Sequence, residues 1–171
     1  MQIDHPQSDA IRTLGKLIDH VEVAMLTTVA PDGTLVSRPL QTLQMEFDGD
    51  LWFITGADSG KVADMARDSH VNLAYADPDD HTYVSVSGHA QVLVDRAKLD
   101  ELWSDRMERY FPRGKDDPDL ALIKVHVDSA EYWTGAGTLT MKLLEIASQI
   151  TPPDRPIPGA TNQRIELPHQ H

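Results

Sequence analysis

In FITGADSGKVADM, residues 53–65, an apolar segment runs into Gly56, Ser59, Gly60 and Lys61 and then into a helix-like pattern. Small residues and a lysine at the start of a helix suit an anion, because the first helical N–H groups lack partners and the helix dipole is positive there. The stretch is not a nucleoside-triphosphate loop. The G-x-x-x-x-G-K-[ST] pattern needs one more residue between Gly56 and Gly60, and a hydroxyl where Val62 stands. Ser59 acting as a plain helix cap, with Lys61 solvated, is the simpler account of these two residues alone. Arg38, in VSRPLQT, is the second candidate. A hairpin through the DGD at 48–50 would lay the region of Arg38 beside Thr55 and bring a guanidinium toward the same anion. Taken by itself, Arg38 fits equally a surface residue paired with one of the many acids.

Other chemistries find less support. The chain of 171 residues has no cysteine, which removes disulfides, thiolate nucleophiles and iron–sulfur clusters. Any redox chemistry must then be carried by a bound cofactor. His89 and His126 fall in strand-like segments without a second ligand at metal spacing, and the H-x-H of His169 and His171 lies in a loose-looking tail, so no metal is expected. No serine sits in a nucleophile elbow, and the catalytic residues stay unassigned. The net charge of −12 and the lack of a Lys/Arg cluster argue against a nucleic-acid surface. No apolar run reaches the roughly 20 residues of a membrane helix, and the start MQIDHPQSDA lacks a secretory pattern, so a cytoplasmic protein is expected.

The elements that must position these residues follow from periodicity. Ile11, Leu14, Leu17, Ile18 and Val21 recur at helical spacing over residues 8–21, with Ser8 as the cap. VAMLTTV (23–29), the turn APDG, and TLVSRPLQTLQMEF (34–47) read as a hairpin, with Pro39 marking an edge or a bulge. LWFIT (51–55) is a third strand. GKVADMARD (60–68) is a short helix with Val62, Met65 and Ala66 inward. HVNLAYAD (70–77) and TYVSVSGHAQVLVD (82–95) are strands, with a bend or bulge at Gly88. Residues 96–111 form one amphipathic helix, and 120–135 the last long strand. Residues 138–149 read as a helix. The Pro-rich end, 151–171, reads as a tail in which QRIEL could add an edge strand. The apolar LALIKVHV expects cover on both faces, for which a symmetric partner is the simplest source. The prediction is a mainly β, six-stranded antiparallel split barrel with peripheral helices over residues 1–150.

The order VSRPLQT, LWFIT, SGKVADM, YVSVSGHAQV, AEYW resembles the flavin-binding split-barrel superfamily that includes pyridoxamine 5′-phosphate oxidase, and within it the general stress protein 26 branch. The resemblance covers roughly residues 8 to 148. It implies FMN at the interface of a homodimer. Arg38, Ser59 and Lys61 would hold the phosphate with help from Thr55. Pro39, Leu40, Gln41 and Ile54 would lie along the ring and ribityl chain, and Trp133 would reach the flavin of the second subunit. Tyr83 stands where the oxidases have a flavin-contacting glutamine. The oxidases follow their tryptophan with a basic Arg-x-His stretch; here the chain continues TGAGTLTMKLLEIA, so pyridoxamine 5′-phosphate oxidation itself is not expected. The function implied is an FMN-dependent oxidoreductase acting on a small molecule. The alternatives are a flavin-binding stress protein without turnover, or a barrel that takes deazaflavin or haem.

Overall fold

The short turn at Ala30–Thr34 sets the first strand pair. Ala30 N–H donates to Thr34 O at 2.8 Å, and Gly33 sits at φ +85, where a Cβ would be strained. This joins β1 (Val23–Val29) to β2 (Leu35–Gln41) antiparallel, Arg38 opposite Leu26. The protein is described by a computed structural model over residues 6–43, 47–135 and 161–167. The remaining elements are α1 (Pro6–Ile18), β3 (Asp50–Gly56), α2 (Gly60–Arg67), β4 (His70–Asp77), β5 (Thr82–Leu93), α3 (Arg96–Leu102), a 3₁₀ turn (Asp105–Arg109), β6 (Leu120–Thr134) and β7 (Thr161–Glu166). The helix expected over 138–149 lies outside the described residues.

The strands run in the order β2-β1-β4-β5-β6-β3, with β7 also on β6, and every pairing is antiparallel. This is the mainly β split barrel expected, with a seventh strand from the tail. β6 has two successive partners on one edge: β3 along Leu120–His126 and β7 along Ser129–Thr134. β2 and β3 are the two ends of the order and do not pair. The hairpin expected through 48–50 is therefore wrong. β6 is apolar on both alternations, so it offers β3 a buried neighbour that polar, half-exposed β2 cannot.

Apolar alternation builds two cores. Leu26, Leu73, Val86, Val125, Val127 and Phe53 fill the barrel together with Leu14 and Ile18 of α1. Leu120 and Leu122 of β6, with Ile54, meet Leu99 and Met107 on the other side. Both faces of β6 are thus covered within one chain, by the barrel and by α3 with its 3₁₀ turn. A partner is not needed for that cover. The single helix expected over 96–111 is broken at Trp103 and Ser104, which are extended; Ser104 then accepts from Met107 N–H and starts the next turn. α1 starts two residues before Ser8, at Pro6, a residue suited to the first helical turn. Gly88 marks a bulge, as expected. The register slips by one between Ser87 and Gly88, and a Cβ at Gly88 would stand 2.2 Å from the His126 carbonyl oxygen.

Candidate functional site: an anion cradle at the start of α2

β2 alternates, so Val36, Arg38 and Leu40 turn inward while Ser37, Pro39 and Gln41 turn outward. Arg38 is half-buried rather than solvated. Its Nη1 donates to Thr28 Oγ1 on β1 at 3.0 Å, and Thr28 Oγ1 donates to Asp64 Oδ2 on α2 at 3.0 Å. Arg38 Nη2 is 3.7 Å from the same carboxylate oxygen. Asp64 Oδ1 lies 3.8 Å from Arg67 Nη1, and Arg67 Nη2 donates to the Val29 carbonyl. A buried carboxylate on one helix face therefore holds two guanidinium groups, one toward the start of α2 and one against β1. Helix α2, not a hairpin, brings Arg38 to Lys61.

Ser59 is the N-cap residue of α2 by backbone (φ −70, ψ 149), yet its side chain makes no cap bond. Its Oγ is buried and has no partner among the described residues. A buried hydroxyl left unpaired costs about 1–3 kcal/mol, so the orphan marks a missing acceptor. Lys61 follows in the first turn. Burial, and secondarily the charge of Arg38, push its pKa below the usual lysine value. Lys61 and Arg38 are thus near each other at the end of α2 that also carries the unpartnered Ser59 hydroxyl. Around Gly60 there is open space: nothing stands within 4 Å of where a Cβ would be. These donors fit a tetrahedral oxyanion such as a phosphate monoester, and the opening at Gly60 lets one enter.

The other expected residues divide. Thr55 is buried on the inner face of β3, just before the loop to Ser59. Leu40 and Ile54 point into the two cores, so only their backbones can meet a ligand. Pro39 and Gln41 lie on the outer face of the free edge strand. Past Gln41, a cavity of about 360 Å³ opens between Thr42, Leu43, Leu102, Trp103 and Arg106. Trp133 is far from the cradle within one chain. The cross-strand row Pro39–Met25–Ala74–Ser85–Glu131 sets four strand steps between β2 and β6, about 19 Å along the sheet at 4.7–4.9 Å per step. Trp133 sits opposite Tyr83 on β5 and Asn162 on β7.

Asp64 is the residue that sequence reading missed. The expected inward set on α2 was Val62, Met65 and Ala66; the buried pair is Asp64 and Met65, and Ala66 is exposed. A signal was present: Lys61, Asp64 and Arg67 are three apart, which stacks cation, acid and cation on one helix face.

Comparison with known proteins meets this geometry from another side. A profile of the family described as "Pyridoxamine 5′-phosphate oxidase like" matches residues 9–155. General stress protein 26 of Bacillus subtilis is 28% identical over 144 residues, 82% of this chain and 99% of that protein. Protein bli-3 of Neurospora crassa is 26% identical over 155 residues, 85% of this chain and 74% of the other. Among solved structures, a general stress FMN/FAD binding protein from Xanthomonas citri superposes with a TM-score of 0.65 at 25% identity, covering 77% of this chain and 92% of that one.

Proposed function

Because the chain belongs to the pyridoxamine 5′-phosphate oxidase-like family, we propose that it is an FMN-binding protein whose phosphate cradle is Arg38, Ser59 and Lys61. The observation that carries the reading is the set of donors without acceptors: the orphan Ser59 Oγ beside Lys61, whose charge is disfavoured by burial and by Arg38. Asp64 orients the guanidinium through Thr28. A flavin held there supplies hydride chemistry, and the chain supplies binding, orientation and electrostatics. The function proposed is a flavin-dependent oxidoreductase for a small molecule. Pyridoxamine 5′-phosphate itself is left out, because TGAGT follows Trp133 where a substrate phosphate would need basic residues.

The reading extends to a homodimer with a shared site. Trp133 is four strand steps along the sheet from Arg38 of its own chain, while Val23, Met25 and Tyr83 expose apolar surface on the outer face that also carries Trp133. A symmetric partner laid on that face would cover them and bring Trp133 to the other subunit's flavin.

Calorimetric titration with FMN and riboflavin is the test. Each charge-assisted bond to phosphate contributes about 1.5–3 kcal/mol, so riboflavin should bind at least about tenfold more weakly. Equal affinities would end the phosphate assignment. Aerobic NAD(P)H oxidation with FMN present separates turnover from simple flavin storage.

A further inference from the structure

His70, His89 and His126 come from distant parts of the chain, yet the sheet sets them in one row. His70 on β4 is the partner of His89 on β5, His89 of His126 on β6, and His126 of Asp50 on β3. The bulge at Gly88 makes this row: without its one-residue slip His89 would lie opposite Val127 rather than His126. Each ring is held alike. His70 Nδ1 is 2.8 Å from Asp68, His89 Nδ1 is 2.5 Å from Asp128, and His126 Nδ1 is 2.9 Å from Asp50. A carboxylate at Nδ1 accepts the ring N–H and turns Nε2 away from it, the same device that orients metal-ligating histidines. All three rings are open to solvent, from 44% to 73% exposed at the side chain.

We propose that His70 and His89 form a cross-strand site for a divalent transition-metal ion that favours tetragonal nitrogen ligation, Cu²⁺ or Ni²⁺. The two ring centroids stand 4.5 Å apart. With a metal–nitrogen distance of about 2.1 Å and a ring centre roughly 1.1 Å further on, each centroid lies about 3.2 Å from the ion. Two such ligands at a right angle place their centroids about 4.5 Å apart, the cis spacing of a tetragonal site. Among the described residues no three metal-ligating side chains converge, so water completes the shell. Asp68 and Asp128 behind the rings favour a cation. His89 also lines an adjoining cavity of about 460 Å³ with Asp48, Asp50, His126 and Lys124, where Lys124 already holds Asp50 at 3.2 Å. Spacing along the chain predicts no metal site; the cross-strand register supplies what spacing cannot.

The test uses the full chain carrying His169→Gln and His171→Gln, so that the H-x-H at the end does not compete. Cu²⁺ is titrated by calorimetry and followed by electron paramagnetic resonance. One ion per chain with hyperfine structure from two imidazole nitrogens is expected. His70→Ala and His89→Ala should each lower affinity by about tenfold or more, and His126→Ala by less than about threefold. His70→Asn repeats the test with a polar side chain, and circular dichroism checks each fold. Cu²⁺ binding unchanged by loss of either His70 or His89, or a chain carrying both His70→Ala and His89→Ala that binds Cu²⁺ as tightly as its parent, overturns the proposal.

Discussion

Two polar regions of this barrel are built on opposite plans. At the start of α2, Ser59 Oγ has no partner and Lys61 carries a charge that its surroundings resist. Along the row from His70 to Asp50, every ring nitrogen Nδ1 already has its carboxylate. On the proposed reading the cradle takes an anion, whereas the row is already paired as it stands. The difference shows how a fold reserves a site: it leaves donors unpaired where a strong acceptor is to come, and pairs them where none is needed.

The largest effect should come from breaking the row at its geometric origin. Gly88→Ala drives a Cβ into the His126 carbonyl, a backbone atom that cannot swing away, so unfolding free energy should drop by about 3 kcal/mol. Urea denaturation measures it. The protein that remains folded should keep its affinity for FMN, since the cradle is on β2 and α2. Next comes Arg38→Met, which deletes the guanidinium and leaves Asp64 without one of its cations. FMN affinity should fall by about a hundredfold while riboflavin affinity is nearly unchanged, by titration of both.

Lys61→Met sharpens the contrast, because its two effects have opposite signs. FMN should bind about tenfold more weakly. The ligand-free protein should melt no lower than the parent and somewhat higher, since the charge removed is one that burial and Arg38 disfavour. Thermal melts with and without FMN decide. The smallest effect belongs to His20, which is outside both regions and ties the end of α1 to β4. Hydrogen bonds to Asp77 (2.7 Å) and then Asp19 (3.1 Å) raise its pKa above 6.5. A raised folded-state value means that its stabilisation is full below pH 6.5 and is lost as pH climbs through the folded value. His20→Gln should flatten that part of the stability–pH profile and leave FMN binding alone. A profile identical to the parent's would show that the exposed pairs contribute nothing.

How much of this was legible depends on how local the signal was. The hairpin at APDG, the strand at 23–29 and the bulge at Gly88 follow from residues within a few positions of each other, and the sequence displays them. Arg38, Ser59 and Lys61, which the proposal makes the cradle, stand out in the sequence because a loop, a helix start and an arginine in a strand each carry their own chemistry. What joins them could not. The partner of β3 is β6, some 70 residues on, and only the summed burial of the sheet selects it over the nearer β2. Asp64 was hidden by the habit of reading acids on a helix as solvated; its burial depends on two arginines that arrive from β2 and from the next turn. The break at Trp103 and Ser104 escaped because apolar spacing continues across it, and extended backbone leaves no mark in that spacing. The histidine row is the extreme case: its members share no periodicity and meet only through three strand registers and a bulge.

Pro39 has a consequence of a colloidal kind. It lies in the middle of a strand whose second edge pairs with no other strand among the described residues, and seven residues of unpaired edge are a template for pairing with another chain. The register with β1 passes through Met25 and Pro39 without a slip. The proline nitrogen therefore takes the place of an N–H on the open side, where a donor would otherwise invite a foreign strand. An opening left for a ligand is in this way closed to a second sheet, and the barrel can stay split without the molecules adding to one another edge to edge.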